Sequence, residues 1–363
     1  MGPVETKPIS YAGFSVLVPT DWDVGAIRLE QGMTMLGIQD AEKNRIEVRW
    51  EKAGLKKARQ EARRKGKPME KRLLRPDEVS EKFHQEAKKK IKGLDVQEGV
   101  AEEKIGGHTA AISSWSDSQG SGYDAVWFCG NTDRYYYLHF VGAEEQFKSI
   151  IKGITCHTSL PYYRWQYLGL NLSLPKDFEL VSQKAEVGRL IAVFRGYWEP
   201  QKKKGPSSFL RPAPLPEPRR LLVERYNLTR LSDADPAPWA RKEINSLGHK
   251  YLGGIKFEKR EEDQAVNGHR ASALLFSQGG GLFRKPSAFY LACSWTCPES
   301  NSAYLLVVPL KPHHDYRQDE KLPTCPQYVS CHWAAAESSL NPAVQDHEGS
   351  GPEKGSEQQH KSS

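Results

Sequence analysis

The sequence predicts an α+β protein: two tandem repeats of an antiparallel β-sheet packed with helices. The prediction rests on self-similarity between the halves, short runs of alternating apolar residues, and one long amphipathic segment in each half. At 363 residues the chain exceeds one ordinary domain. Its mixture of 38% apolar and 27% charged residues can bury a core, which excludes a wholly disordered chain. No apolar run approaches the roughly eighteen residues needed to cross a bilayer. Met1–Ile9 lacks a signal-like stretch, so a cytoplasmic location is expected.

The repeat is legible as landmarks in a common order. Tyr11-Ala-Gly13 through Pro19-Thr-Asp21-Trp22 returns as Tyr167-Leu-Gly169 through Pro175-Lys-Asp177-Phe178, and Gly32 returns as Gly188. Ile46–Trp50 matches Leu222–Tyr226, and Gly107-His108 matches Gly268-His269. Val126–Cys129 is aligned with Tyr290–Cys293, and Ile154–His157 with Val329–His332. The boundaries expected from this are residues 1–160 and 161–335 for the repeats, with a Ser/Gly/Glu/Gln-rich disordered tail at 336–363.

Within each repeat the opening segment alternates. Phe14, Val16 and Val18 point one way and Ser15 and Leu17 the other, until Pro19 ends the strand. Further strands follow Gly32 and reach Trp50. A helix comes next, with Asp77 and Glu78 at its start, Lys88, Lys89, Lys90 and Lys92 at its end, and Gly93 as stop, an order that suits the helix dipole. Val79, Phe83, Ala87 and Ile91 predict its buried stripe. The second helix runs from Pro236 to Gly253. Thr109–Trp115, Ala125–Cys129 and Tyr135–Val141 read as strands, as do Arg270–Ser277, Ala288–Trp295 and Ala303–Pro309. A short helix, Ala143–Ile154, closes the first repeat.

The leading aromatic-x-Gly…Pro-x-Asp-Trp hairpin, the helix, the Gly-Gly-His turn and the terminal helix together resemble the Mog1/PsbP-like fold. The resemblance covers most of residues 9–158 and 165–333. It implies a non-catalytic binding or assembly module and transfers no catalytic residue.

The repeats differ in what has been inserted. Glu51–Arg75 holds eleven Lys or Arg against three Glu, so the chain's net charge of +7 belongs to this segment. Lys52, Lys56, Lys57, Arg59, Arg63, Arg64, Lys65, Lys67, Lys71, Arg72 and Arg75 are therefore the candidate anion-binding residues, on an arm that docks an acidic protein or nucleic acid. The bland alternative is a solvated helix. The arm has no aromatic residue, so any nucleic-acid binding would follow the phosphate backbone rather than stack on bases. In the second repeat 196–218 carries six prolines and reads as an extended loop.

Six cysteines remain. Cys129 with Cys156, Cys293 with Cys331 and Cys297 with Cys325 form the pairs expected of antiparallel neighbours. Disulfides, buried thiols and zinc held by Cys293, Cys297, Cys325 and Cys331 (or His332) stay open; the first repeat would keep only Cys129, Cys156 and His157 as ligands. His108 and His269 read as turn residues. No cofactor and no catalytic residue is assigned. The favoured function is non-catalytic macromolecular binding through the basic arm. The alternatives are non-specific binding of a nucleic-acid backbone, and a thiol- or zinc-dependent enzyme in the second repeat.

Overall fold

A computed structural model describes residues 5–30, 33–54, 74–198, 218–227, 236–279, 286–311 and 314–331. Nine of the eleven candidate basic residues (Lys56, Lys57, Arg59, Arg63, Arg64, Lys65, Lys67, Lys71 and Arg72), most of the proline-rich loop, His332 and the tail lie outside them.

The first half runs β1 (Thr6–Tyr11), β2 (Phe14–Pro19), β3 (Asp23–Glu30), β4 (Met33–Gln39), β5 (Asn44–Lys52), α1 (Pro76–Lys90), β6 (Asp95–Ile105), β7 (His108–Asp117), β8 (Gly120–Cys129), β9 (Arg134–Val141) and α2 (Glu144–Lys152). The second half runs β10 (Tyr162–Tyr167), β11 (Leu170–Pro175), β12 (Glu179–Glu186), β13 (Arg189–Tyr197), β14 (Pro218–Asn227), α3 (Pro236–Tyr251), β15 (Ile255–Val266), β16 (His269–Gln278), β17 (Ala288–Cys297) and β18 (Ser302–Pro309).

Two seven-stranded antiparallel sheets result, ordered β3-β4-β5-β9-β8-β7-β6 and β12-β13-β14-β18-β17-β16-β15, the same topology twice. Even the irregularities recur. The edge hairpins bulge at Val24/Ala26 and at Leu180/Ser182, and β6 and β15 bulge at Gln97/Ala101 and Phe257/Glu261. In each sheet the third strand, β5 or β14, must connect to the far edge, β6 or β15. The crossover helix spans that distance and lies over β7 and β8, or over β16 and β17.

A four-stranded sheet, β11-β10-β1-β2, joins the halves, with Ser10 opposite Gln166 and its Oγ donating to Gln166 Oε1 at 3.1 Å. Those two residues are equivalents in the repeat, so the lobes meet across a local two-fold axis. Phe14, Val16 and Val18 are fully buried and Leu17 is 44% exposed, as alternation requires. Tyr11 packs edge-on against Trp165 at 4.8 Å, so one aromatic cluster bridges the lobes.

Two expectations need correction. α1 buries Val79, Ser80 and His84, while Phe83 and Ala87 are half-buried and Ile91 is exposed. The helix is rotated from its predicted apolar stripe because His84 reaches a buried carboxylate, Asp124, at 3.0 Å. The second correction is register: Cys129 is equivalent to Cys297, not Cys293. Trp127 stands opposite Tyr136 and Trp295 opposite Tyr304, stacked at 5.1 Å and 5.2 Å. Cys129 and Cys297 each end their strand, before turns that place Asp133 and Asn301 at positive φ.

Candidate functional site

The cysteines divide into three sets. Cys293 and Cys325 are joined as a disulfide with a Cα–Cα distance of 6.0 Å, whereas Cys129, Cys156, Cys297 and Cys331 are unjoined and buried. The expected pairs Cys293–Cys331 and Cys297–Cys325 are thus exchanged for Cys293–Cys325 and Cys297 near Cys331. The returning segment explains this. It is held by β15 side chains in chain order: Glu262 accepts from Leu322 N, Gln264 donates to the Pro323 carbonyl, and Asn267 donates to the Val329 carbonyl. It therefore runs parallel to β17, and the earlier cysteine meets the earlier one. In the first lobe the corresponding stretch is α2, which buries Phe147, Ile150 and Ile151 against β2 and β8. The disulfide fastens what a helix fastens there.

The unjoined cysteines meet histidines. His108, Cys129, Cys156 and His157 bring four ligand atoms within 4.8 Å of one another, and His269, Cys297 and Cys331 do the same in the second lobe. The histidines are placed by the hairpins before β7 and β16, whose central residues (Gly106-Gly107 and Asn267-Gly268) all have positive φ. At Gly106 a Cβ would sit 3.1 Å from Cys156 Sγ, so the turn approaches the sulfur because it is glycine. A hydrogen bond with Cys156 pushes the Cys129 thiol down to about 4, and the same contact together with burial pushes Cys156 up. His108 and His269 are therefore not mere turn residues. The zinc set drawn from Cys293, Cys297, Cys325 and Cys331 is excluded by the disulfide.

A second constellation occupies the first lobe alone. Under α1, the buried carboxyl of Asp124 accepts from His139 Nδ1 at 2.7 Å and from His84 Nε2 at 3.0 Å. Burial pushes the Asp124 pKa up, but the two histidine bonds outweigh it and hold the group below the usual carboxylate range. His139 stacks on Trp115 at 4.6 Å and faces an open groove of about 700 Å³ lined by Lys43, Arg49 and Lys90 and, in equal number, by the carboxylates of Glu47, Glu86 and Asp117. A neighbouring groove of about 390 Å³ lies between α1 and Tyr135.

Through the register above, Asp124 and His139 correspond to Ala292 and Val307; their strand neighbours make Glu47 the equivalent of Leu222, which corrects the sequence match of Ile46 with Leu222 by one residue. Ala292, Val307 and Leu222, with Ala240, Ile244 and Leu247 of α3, close the same face of the second lobe as an apolar core. No Ser, Thr or Cys is among the described residues lining the larger groove.

The second lobe also buries a carboxyl beneath its helix face. Glu224, fully buried, accepts from Arg189, which also reaches Glu243. Burial pushes its pKa up to about 7, against the pull of Arg189. A carboxyl raised in the folded state contributes stability that is full below its unfolded value and lost as pH rises through about 7. Urea unfolding should show stability falling between pH 4.5 and 7 by on the order of 3 kcal/mol from this group, and Glu224→Gln should flatten that slope. An unchanged slope would remove Glu224 as its source.

Of the predicted basic residues, Lys52 ends β5 with Nζ 3.3 Å from Glu179 Oε1, and Arg75 caps α1 beside Asp77 and Glu78. The segment's return is fixed at the groove, where Tyr135 Oη accepts from Leu74 N and donates to the Leu74 carbonyl. No helix among the described residues is long and apolar enough to cross a membrane. Set beside known proteins, the chain matches no family model, no curated protein and no solved structure.

Proposed function

We propose that this is a non-catalytic, tandem Mog1/PsbP-like binding protein that docks an anionic macromolecule on the α1 face of its first lobe. The observation that carries the reading is the divergence between equivalent faces: open and polar around Asp124, His139 and Arg49, but closed and apolar around Ala292, Val307 and Ile244. A polar face kept by one copy of a shared scaffold is explained by recognition, since the apolar version already satisfies folding. Segment 51–75 leaves and returns at this face, beside the exposed Lys82, Lys88, Lys89 and Lys90 of α1. Its charge supplies attraction and the groove supplies shape. Asp124 orients His139 as in an acid–base dyad, but among the described residues the larger groove is lined by no Ser, Thr or Cys to act as nucleophile, which favours binding over catalysis.

The test replaces residues 55–73 with a short Gly/Ser bridge and measures retention on duplex DNA and on poly-glutamate across salt concentration. Loss of about tenfold or more at low salt, with a shallower salt dependence, is expected. Retention on DNA alone would identify nucleic acid as the partner class. A folded variant that binds both probes as the parent does would contradict the reading.

A further inference from the structure

We propose that each lobe holds one zinc ion: the first through His108 Nε2, Cys129 Sγ, Cys156 Sγ and His157 Nδ1, the second through His269, Cys297 and Cys331. The inference is independent of the binding role proposed above.

The geometry of the first centre is specific. His157 Nδ1 lies 3.6 Å from Cys129 Sγ, 3.5 Å from Cys156 Sγ and 3.4 Å from His108 Nε2. One ring nitrogen directs one lone pair or one proton, so it cannot make three hydrogen bonds, and 3.4 Å is long for a nitrogen–nitrogen bond. The three contacts are explained together if the atoms surround a common point. A tetrahedral ion with metal–sulfur bonds of about 2.3 Å and metal–nitrogen bonds of about 2.05 Å separates sulfur from nitrogen by roughly 3.6 Å and nitrogen from nitrogen by roughly 3.3 Å. The observed spacings fall on those values.

Recurrence is the second argument. His269, Cys297 and Cys331 occupy the positions of His108, Cys129 and Cys156, although the lobes have diverged under their helices at Asp124, His139 and Glu47. Glu299 Oε2 stands 3.2 Å from Cys297 Sγ at the rim of the second centre. Two thiolates with imidazole select zinc over the oxygen-seeking calcium and magnesium. Four protein ligands leave the first ion no open position, so its role is structural. It ties the segment after α2 onto the β7 and β8 ends, as the second ties the chain after β18 onto β16 and β17. Binding displaces the thiol protons and involves no change of oxidation state.

The full chain, purified without chelator, should carry about two equivalents of zinc by elemental analysis. Cys129→Ser should lower that to about one, and Cys129→Ser with Cys297→Ser to about none. Where a cysteine variant fails to fold by circular dichroism, His108→Ala, at a hairpin turn, gives the same reading without touching a thiol. Cobalt exchanged into the parent should show the visible d–d bands of a tetrahedral thiolate site, weakened in His108→Ala. After zinc removal under denaturing conditions, four cysteines should alkylate without reductant and Cys293 and Cys325 only after reduction. Zinc at trace level, whether Cys129 and Cys156 are then free or linked as a disulfide, overturns the proposal.

Discussion

Asp124→Ala should destabilise the protein by about 3 kcal/mol at neutral pH, because it leaves His84 and His139 directed at a cavity with no acceptor. Grafting the second lobe's solution onto the first has the opposite sign. His84→Ile, Asp124→Ala and His139→Val together should recover that loss and can exceed the parent by about 1–4 kcal/mol, as buried polar networks do when replaced by apolar residues of matching shape. The three changes are in contact, so their effects will not add. The pH dependence follows from the direction of the Asp124 shift. A carboxyl held below its unfolded value contributes stability that is present above that value, about 3.9, and is lost as pH falls through its folded value. The parent should therefore show an acid limb below about pH 4 that is shallower in Asp124→Ala and in the triple variant. Urea midpoints at pH 7 and pH 3 measure both effects. A triple variant no more stable than Asp124→Ala would show that the first lobe cannot close as the second does.

Trp127→Ala and Trp295→Ala should each cost about 3–5 kcal/mol, and should cost similar amounts. Both indoles are fully buried and stack on an equivalent tyrosine, Tyr136 or Tyr304, nearly coplanar at 7° and 12°. The loss combines aromatic area, a residual cavity and the stacking contact. Tyr136 also donates from Oη to the Cys156 carbonyl at 3.0 Å, so Trp127→Ala should loosen the cysteine segment as well. Increased alkylation of Cys156 in the native protein would report this. A cost for either tryptophan under about 1 kcal/mol would mean that the lobes do not share this packing unit.

What the sequence disclosed follows from the physics of each element. β2 was legible because Phe14, Val16 and Val18 alternate, and α1 because its charge order opposes its dipole. β3 and β6 were not, since Asp23–Glu30 lies mostly exposed, both strands are sheet edges, and neither carries much apolar pattern. The sequence places Cys129 with Cys293, four residues off, because Cys293 belongs to the second lobe's disulfide. The equivalent indoles, Trp127 and Trp295, set Cys129 with Cys297. The groove was hidden for the same reason: in the corrected register Asp124 and His139 stand where the other copy has Ala292 and Val307. A charge interrupting a strand whose counterpart is apolar is the signal that would have found it.

Amide hydrogen exchange across the whole chain, with and without a saturating anionic probe such as poly-glutamate or duplex DNA, tests the account most directly. Protection is expected over residues 51–75 and on α1, β5 and β9 of the first lobe, with α3, β14 and β18 unchanged. Protection on the second lobe's apolar face, or equal protection on both, would contradict it.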